Sequence, residues 1–134
     1  MTAPAPKKIL LVDDDRVVQK ATRDFLQRNG YEVLVAVDGA EGVSIARLQK
    51  PDLILLDLSF PLEPMSGPLS DGFEIVEWLR RMPESRAVPI IILSVTEPAK
   101  YKERFGEGEI AAYIKKPANY KDMLALIRVV LAVK

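Results

Sequence analysis

Short, mostly apolar runs alternate along this chain with longer stretches in which apolar residues recur every three or four positions. The short runs are bounded by polar or turn-forming residues, a pattern typical of buried strands. The pattern predicts five strands, at Ile9–Val12, Tyr31–Ala36, Leu53–Leu56, Ile90–Leu93 and Ala112–Lys115.

The longer stretches predict helices, because their apolar residues fall on one side at helical spacing. Two of them stop at Asn29-Gly30 and Lys50-Pro51, as helices commonly do. Five helices are expected, at Arg16–Asn29, Ala40–Gln49, Gly72–Arg81, Ala99–Phe105 and Tyr120–Val133. The residues expected to face the core are Val17, Val18, Ala21, Phe25 and Leu26 in the first helix, Phe73, Ile75, Val76, Trp78 and Leu79 in the third, and Met123, Leu124, Ile127, Val130 and Leu131 in the last.

The order of these elements predicts the fold class. Strands this uniformly apolar need cover on both faces, and alternation with helices is typical of a parallel sheet. We therefore expect an α/β fold, with a doubly wound five-stranded parallel sheet and helices on both faces. The domain is expected to span residues 8–134, after a flexible N-terminus at residues 1–7.

Composition narrows the function classes. The 134 residues suit one domain. They include no cysteine and no histidine, which excludes disulfides, zinc sites built on these residues and Ser-His-Asp catalysis. Nineteen basic residues balance nineteen acidic ones, so charge gives no reason to expect nucleic-acid binding.

With neither a signal peptide nor an apolar run of the ~20 residues that span a bilayer, a cytoplasmic protein without membrane contact is expected. The last helix leaves no room for an output domain, so output through protein contacts is expected.

Polar residues follow four of the predicted strands. Asp13, Asp14 and Asp15 follow the first, Asp57 the third, Ser94 the fourth, and Lys116 the fifth. In open parallel sheets ligands bind beyond the carboxyl ends of the strands, where these groups should gather. Neighbouring carboxylates repel one another unless a cation compensates, and an all-oxygen site suits Mg²⁺. A carboxylate is also a nucleophile for phosphoryl transfer, and Lys116 and Ser94 could bind phosphoryl oxygens.

Several segments resemble one known family, the response-regulator receiver domains of two-component signalling (CheY-like, with a flavodoxin-like sheet). The segments are Ile9–Asp15, Pro51–Leu58 with Pro61 after it, Asp71–Glu74, Ile90–Ser94 and Tyr113–Pro117. Together the resemblance covers the chain from about Lys8 to Val133. It implies a phosphoprotein switch of a phosphorelay, which catalyses its own phosphorylation and dephosphorylation and is not otherwise an enzyme.

The resemblance also implies roles for individual residues. Asp57 becomes the phosphoacceptor, with Lys116 and Ser94 on the phosphoryl group. Asp13, Asp14 and Asp57 hold Mg²⁺ together with the backbone carbonyl of Ser59, and Ser94 and Tyr113 form the switch. The implied partners are a sensor histidine kinase or phosphotransfer protein and a downstream protein target, with the chain a monomer or a phosphorylation-linked dimer.

The chain departs from the family pattern at several positions. The connection Ser59–Ser70 is about seven residues longer than is usual. Val95 replaces a small residue beside the site, and a β-branched side chain there could narrow access. Ala118 stands where an aromatic is common, and Gly106 and Gly108 make the fourth helix unusual.

Two other functions remain open from the sequence. A degenerate receiver would act as an unphosphorylated interaction module. A haloacid-dehalogenase-like phosphohydrolase would use Asp13 as nucleophile with Asp15, Ser94 and Lys116, but Asp57 would then have no role. Asp13 to Asp15 also suit a solvated turn in which Asp15 caps the first helix. Lys115 competes with Lys116 for the site position, and strand alternation favours Lys116.

Overall fold

The protein is described by a computed structural model over residues 6–58, 72–94, 99, 110–117 and 119–132. Strands and helices alternate in these ranges. The elements are β1 (Lys8–Asp13), α1 (Arg16–Arg28), β2 (Glu32–Ala36), α2 (Gly39–Gln49), β3 (Leu53–Leu58), α3 (Gly72–Arg81), β4 (Ile90–Ser94), β5 (Ala112–Lys115) and α4 (Tyr120–Ala132). The helix expected at Ala99–Phe105 lies, apart from Ala99, outside the described residues, as do the Ser59–Ser70 connection and most of the N-terminus at 1–7.

The five strands form one parallel sheet in the order β2-β1-β3-β4-β5. The order reverses between β1 and β3, so the crossover through α1 lies on one face of the sheet and the crossovers through α2 and α3 lie on the other. This is the doubly wound arrangement that the sequence predicted, and it makes β1, β3 and β4 neighbours with β5 beside them. A ligand crevice is expected where the order reverses, at the carboxyl ends of β1 and β3.

The sheet separates two apolar layers. Side chains of alternate strand residues pack under α2 and α3, around Leu10, Ile54 and Ile92. The strand residues between them face α1 and α4, where Leu26 and Ile127 complete the layer. Burial on both sides explains why the strands are apolar at nearly every position.

The predicted core face of α1 was partly wrong. Val17 is 80% exposed and Val18 is 36% exposed, whereas the polar residues Gln19 and Thr22 are buried beside Leu26. These three positions follow a helical repeat, so they define the face turned to the sheet. Both polar side chains have hydrogen-bond partners there, which removes the cost of burying them.

Trp78 was also predicted wrongly as a core residue, since it is 50% exposed. In α3 the buried side is formed by Ile75, Val76 and Leu79. At about 100° per residue, position 78 lies roughly opposite position 76. The indole therefore lies outside the core despite its apolar character.

A glycine lets α2 approach β1 just before the polar strand end. A Cβ at Gly42 would lie 2.9 Å from Cγ2 of Val12, which is itself buried. We expect Gly42→Ala to destabilise the chain by about 1 kcal/mol, because overpacking of about 1–3 kcal/mol exceeds the helix propensity that alanine gains. Urea unfolding measures this difference. Ser44→Ala, at an exposed position of the same helix, is the matched control and should stabilise slightly. A Gly42→Ala chain as stable as the control would mean that the contact relaxes freely.

Candidate functional site

The polar residues at the strand ends meet at one edge of the sheet. Asp13 of β1 is the register partner of Asp57 of β3, and Ser94 of β4 pairs with Leu58 one position further along β3. The backbone N–H of Lys116 donates to the Ser94 carbonyl over 2.8 Å. The site is therefore built from the carboxyl ends of four neighbouring strands, each fixed by the backbone ladder.

Lys116 forms an ion pair with Oδ1 of Asp57. The Asp57 side chain is almost fully buried and that of Lys116 is only 20% exposed. A buried carboxylate needs a compensating cation, and this ammonium supplies one. The residue that reaches Asp57 is Lys116, while Lys115 is exposed.

Asp13 is buried and satisfied on one oxygen only. Its Oδ1 accepts the backbone N–H of Asp15 over 2.9 Å. Its Oδ2 is buried without a hydrogen-bond donor among the described residues. Burial raises the pKa of Asp13 to about 7; the Asp15 N–H opposes the rise and the neighbouring charge of Asp57 adds to it.

Burial also raises the pKa of Asp57 above its usual value, although Lys116 lowers it. A hydrogen bond between the two carboxyl groups raises the pKa of Asp13 and lowers that of Asp57. Two buried carboxyl groups in contact need either a shared proton or a cation between them.

This oxygen set fits a hard divalent cation. Mg²⁺ takes one or two carboxylates and keeps several waters, so Asp13 and Asp57 suffice as its anionic core. In the described part of the chain no three acidic side chains cluster as metal ligands. The fit therefore rests on the buried pair and the undonated Oδ2 of Asp13 rather than on a closed protein cage.

The family follows from a comparison with known domains. The model of the response regulator receiver domain matches residues 9–128. This chain belongs to the response regulator receiver domain family. Receiver domains are signalling domains and not enzymes in the ordinary sense.

Curated relatives of this receiver domain include the polar-differentiation response regulators DivK. The protein from Brucella anthropi is 31% identical over 123 residues, which is 92% of this chain and 94% of the relative. The Brucella ovis protein is 30% identical over 122 residues, covering 91% of this chain and 94% of its own. The receiver domain thus spans nearly the whole length of both relatives.

Solved structures agree with the fold of this receiver domain. Chemotaxis protein CheY4 of Vibrio cholerae superposes with a TM-score of 0.79 at 31% identity, covering 94% of this chain and 99% of that one. The receiver domain of a sensor histidine kinase from Pseudomonas aeruginosa superposes with a TM-score of 0.78 at 27% identity, covering 96% and 99%. That structure is described with a magnesium ion coordinated in its active site cleft.

No helix in the described ranges of our receiver domain is long and apolar enough to cross a bilayer.

The remaining predicted site residues of the receiver domain are placed as follows. Ser94 is buried at the end of β4, and Tyr113 is half-buried in β5 against the layer under α2 and α3. Asp14 is exposed beside Asp13. Ser59, the expected backbone ligand, lies outside the described residues. The individual roles of all these residues stay predictions.

One buried residue of the receiver site was missed in the sequence. Gln19 of α1 donates from its amide nitrogen to the backbone carbonyls of Asp13 and Ala36. A search for apolar residues passes over it because it is polar. Its spacing from the buried Leu26 was the available signal, since seven residues are nearly two helical turns.

The buried acid pair predicts how stability depends on pH in this receiver domain without metal. The folded chain holds the Asp13 proton up to about pH 7, whereas an unfolded chain releases it near the usual value of 3.8. The stabilisation that this proton contributes is complete below about pH 4 and is lost as pH rises toward 7. Asp13→Asn removes this dependence. We therefore expect the variant to gain on the order of 2 kcal/mol over the parent between pH 5 and pH 8.

Urea unfolding in EDTA at both pH values measures this gain. Other acids titrate in both chains, so the comparison uses the difference between variant and parent at each pH. A constant difference between pH 5 and pH 8 would contradict the shared-proton account. Adding Mg²⁺ at pH 8 should stabilise the parent more than the variant, because a cation bound at Asp13 and Asp57 would balance their negative charge in place of the proton.

Proposed function

We propose that this receiver domain accepts a phosphoryl group on Asp57 in a Mg²⁺-dependent reaction. The donor is the phosphohistidine of a sensor histidine kinase or phosphotransfer protein. The observation that carries the proposal is the buried carboxyl pair Asp13–Asp57, which has Lys116 on one side and an undonated oxygen on the other. A buried carboxylate held ready at a strand end suits nucleophilic attack on phosphorus better than a structural role.

The reaction exchanges one bond to phosphorus for another. A carboxylate oxygen of Asp57 forms a bond to phosphorus as the bond to the donor's imidazole nitrogen breaks, and that nitrogen keeps the electron pair. The ammonium of Lys116 is already against Asp57 and stays beside the phosphoryl oxygens as their charge redistributes. Hydrolysis later returns the carboxylate and inorganic phosphate.

Asp13 and Asp57 would hold the Mg²⁺, with Asp14 and the backbone carbonyl of Ser59 added by resemblance to the family. When bound, the cation neutralises charge on the oxygens of the transferring group. The magnesium described in the similar Pseudomonas aeruginosa receiver domain supports this assignment. The chain's own part is to keep the two carboxylates adjacent and shielded from water.

The signal is proposed to leave the site through Ser94 and Tyr113. Ser94 lies one strand from Asp57, and its carbonyl is hydrogen-bonded to the backbone of Lys116. A hydroxyl drawn toward new phosphoryl oxygens would disturb the packing around the half-buried Tyr113 and so bias a protein-binding surface near β4 and β5. We place this action in the cytoplasm, where the ATP-dependent kinase donors work, with the chain as a monomer or a phosphorylation-linked dimer.

The test is intact mass and peptide mapping after incubation with acetyl phosphate, with Mg²⁺ and with EDTA. We expect one phosphoryl group, on Asp57, only with Mg²⁺. A label on Asp13 would instead support the hydrolase chemistry. No label over a full Mg²⁺ titration would overturn the proposal and favour an unphosphorylated interaction module.

A further inference from the structure

Gln19 is a buried polar residue that the proposed chemistry does not use. It lies in the second turn of α1 and is 8% exposed. Buried amides need hydrogen-bond partners, and most side-chain hydrogen bonds in proteins go to backbone groups or water. The side-chain amide of Gln19 donates to two backbone carbonyls at strand ends of the sheet, over 3.2 Å to Asp13 and 3.1 Å to Ala36.

The two carbonyls belong to the ends of different strands. The ladder between β1 and β2 finishes at the pair Val12 and Ala36. Asp13 continues β1 by one residue and pairs only toward β3, through Asp57. The single amide nitrogen of Gln19 therefore spans the place where the β1–β2 ladder stops, and its two hydrogens link the strand ends.

These hydrogen bonds belong to a closed network around the turn that joins β1 to α1, at Asp13 to Asp15. The N–H of Asp15 donates to Oδ1 of Asp13, and Asp15 in turn caps α1 by accepting from Val17 and Val18. The backbone N–H of Gln19 donates to the Asp15 carbonyl over 2.8 Å, and its side chain returns to the Asp13 carbonyl. The Asp13 residue is thus held at its side chain and at its backbone by the same helix.

We propose that Gln19 is a positioning residue that holds the Asp13–Asp14 turn in the geometry that binds Mg²⁺. This inference rests on the proposed function. Groups that orient metal ligands without touching the metal commonly change metal affinity by about 10- to 100-fold. Without the hydrogen bond from Gln19 to the Asp13 carbonyl, the turn can move and Asp13 can separate from Asp57. Mg²⁺ would then bind a less ordered pair of carboxylates.

The experiment compares Gln19→Met with Thr22→Val. Methionine keeps the length and bulk of glutamine without its donors. Thr22 is a matched control because it lies on the same helix face, is also buried, and makes its side-chain hydrogen bond to Tyr120 rather than to the strand ends. Calorimetric titration with Mg²⁺ should give an affinity about tenfold weaker for Gln19→Met and unchanged for Thr22→Val.

A second readout uses the metal-free chain. Amide hydrogen exchange at Asp14 and Asp15 should accelerate in Gln19→Met relative to Thr22→Val, after each is corrected for its global stability. Equal Mg²⁺ affinity in parent and Gln19→Met, with exchange that follows global stability alone, would reduce Gln19 to a packing role. A parent that binds no Mg²⁺ would overturn the proposed metal site itself, and with it the role assigned to Gln19.

Discussion

Asp57→Asn is expected to gain no phosphoryl group under conditions in which the parent gains one. Asparagine has nearly the shape of aspartate, so the buried position beside Lys116 stays filled. Its amide is neutral and a poor nucleophile, and it forms no acyl phosphate. The substitution also leaves Lys116 without its buried carboxylate partner. The measurement is a time course of intact mass with acetyl phosphate and Mg²⁺, in which the variant should stay at its starting mass.

Asp52→Asn is the matched control for this loss. Asp52 stands just before the opposite end of the same strand, where its Oδ2 accepts the backbone N–H of Lys8 over 2.8 Å. The control should lose some stability, since one hydrogen bond to a charged acceptor contributes about 1.5–3 kcal/mol, and keep its phosphorylation. A label on Asp57→Asn equal to that of the control would move the acceptor away from Asp57.

Lys116→Met should slow phosphorylation of Asp57 on the order of a hundredfold, the effect usual for losing one charged or hydrogen-bonding group at a reacting centre. Two causes act together. The ammonium no longer faces the phosphoryl oxygens. Its loss also raises the pKa of Asp57 further, because Lys116 lowers it in the parent. The pH at which the rate reaches half its maximum should therefore shift upward.

Lys115→Met removes the same charge from the adjacent position. Lys115 is exposed at the end of β5, so its loss should change the rate little. Initial rates from pH 6 to pH 9 compare both variants with the parent. Equal slowing in the two variants would show that general charge, and not the contact between Lys116 and Asp57, attracts the anionic donor.

The sheet was predictable because strands that are buried on both faces are apolar at nearly every position. The residues at which the strands end were harder to predict. The predicted strands stopped at Val12, Leu56 and Leu93, whereas the ladders run on through Asp13, Leu58 and Ser94. Backbone hydrogen bonds do not depend on side-chain polarity, so an apolar pattern ends before the strand does. The residues that the pattern leaves out are the ones that carry the candidate chemistry.

The face of α1 shows a second limit of hydrophobic patterning. Exposed Val17 and Val18 were counted as core, and buried Gln19 and Thr22 were not. A hydrophobic pattern identifies side chains that are stable in an apolar medium. The strand ends also present backbone carbonyls that lack a partner in the sheet ladder, and a buried polar side chain can donate to them. The gathering of Asp13, Asp57 and Lys116 followed from topology, since parallel strands bring their carboxyl ends to one edge. The hydrogen bonds from Gln19 to the strand ends could not be predicted from the sequence, because they depend on how α1 packs against the sheet.

The ion pair of Asp57 and Lys116, and the register of Asp57 with Asp13, join segments that lie far apart along the chain. Contacts of such long sequence separation can form only when the intervening loops close, which costs conformational entropy. A chain still emerging from the ribosome, with β5 not yet made, has no assembled acceptor. On the proposed function, competence to receive a signal requires the assembled sheet, and labelling by a small phosphate donor would report the native fraction during refolding.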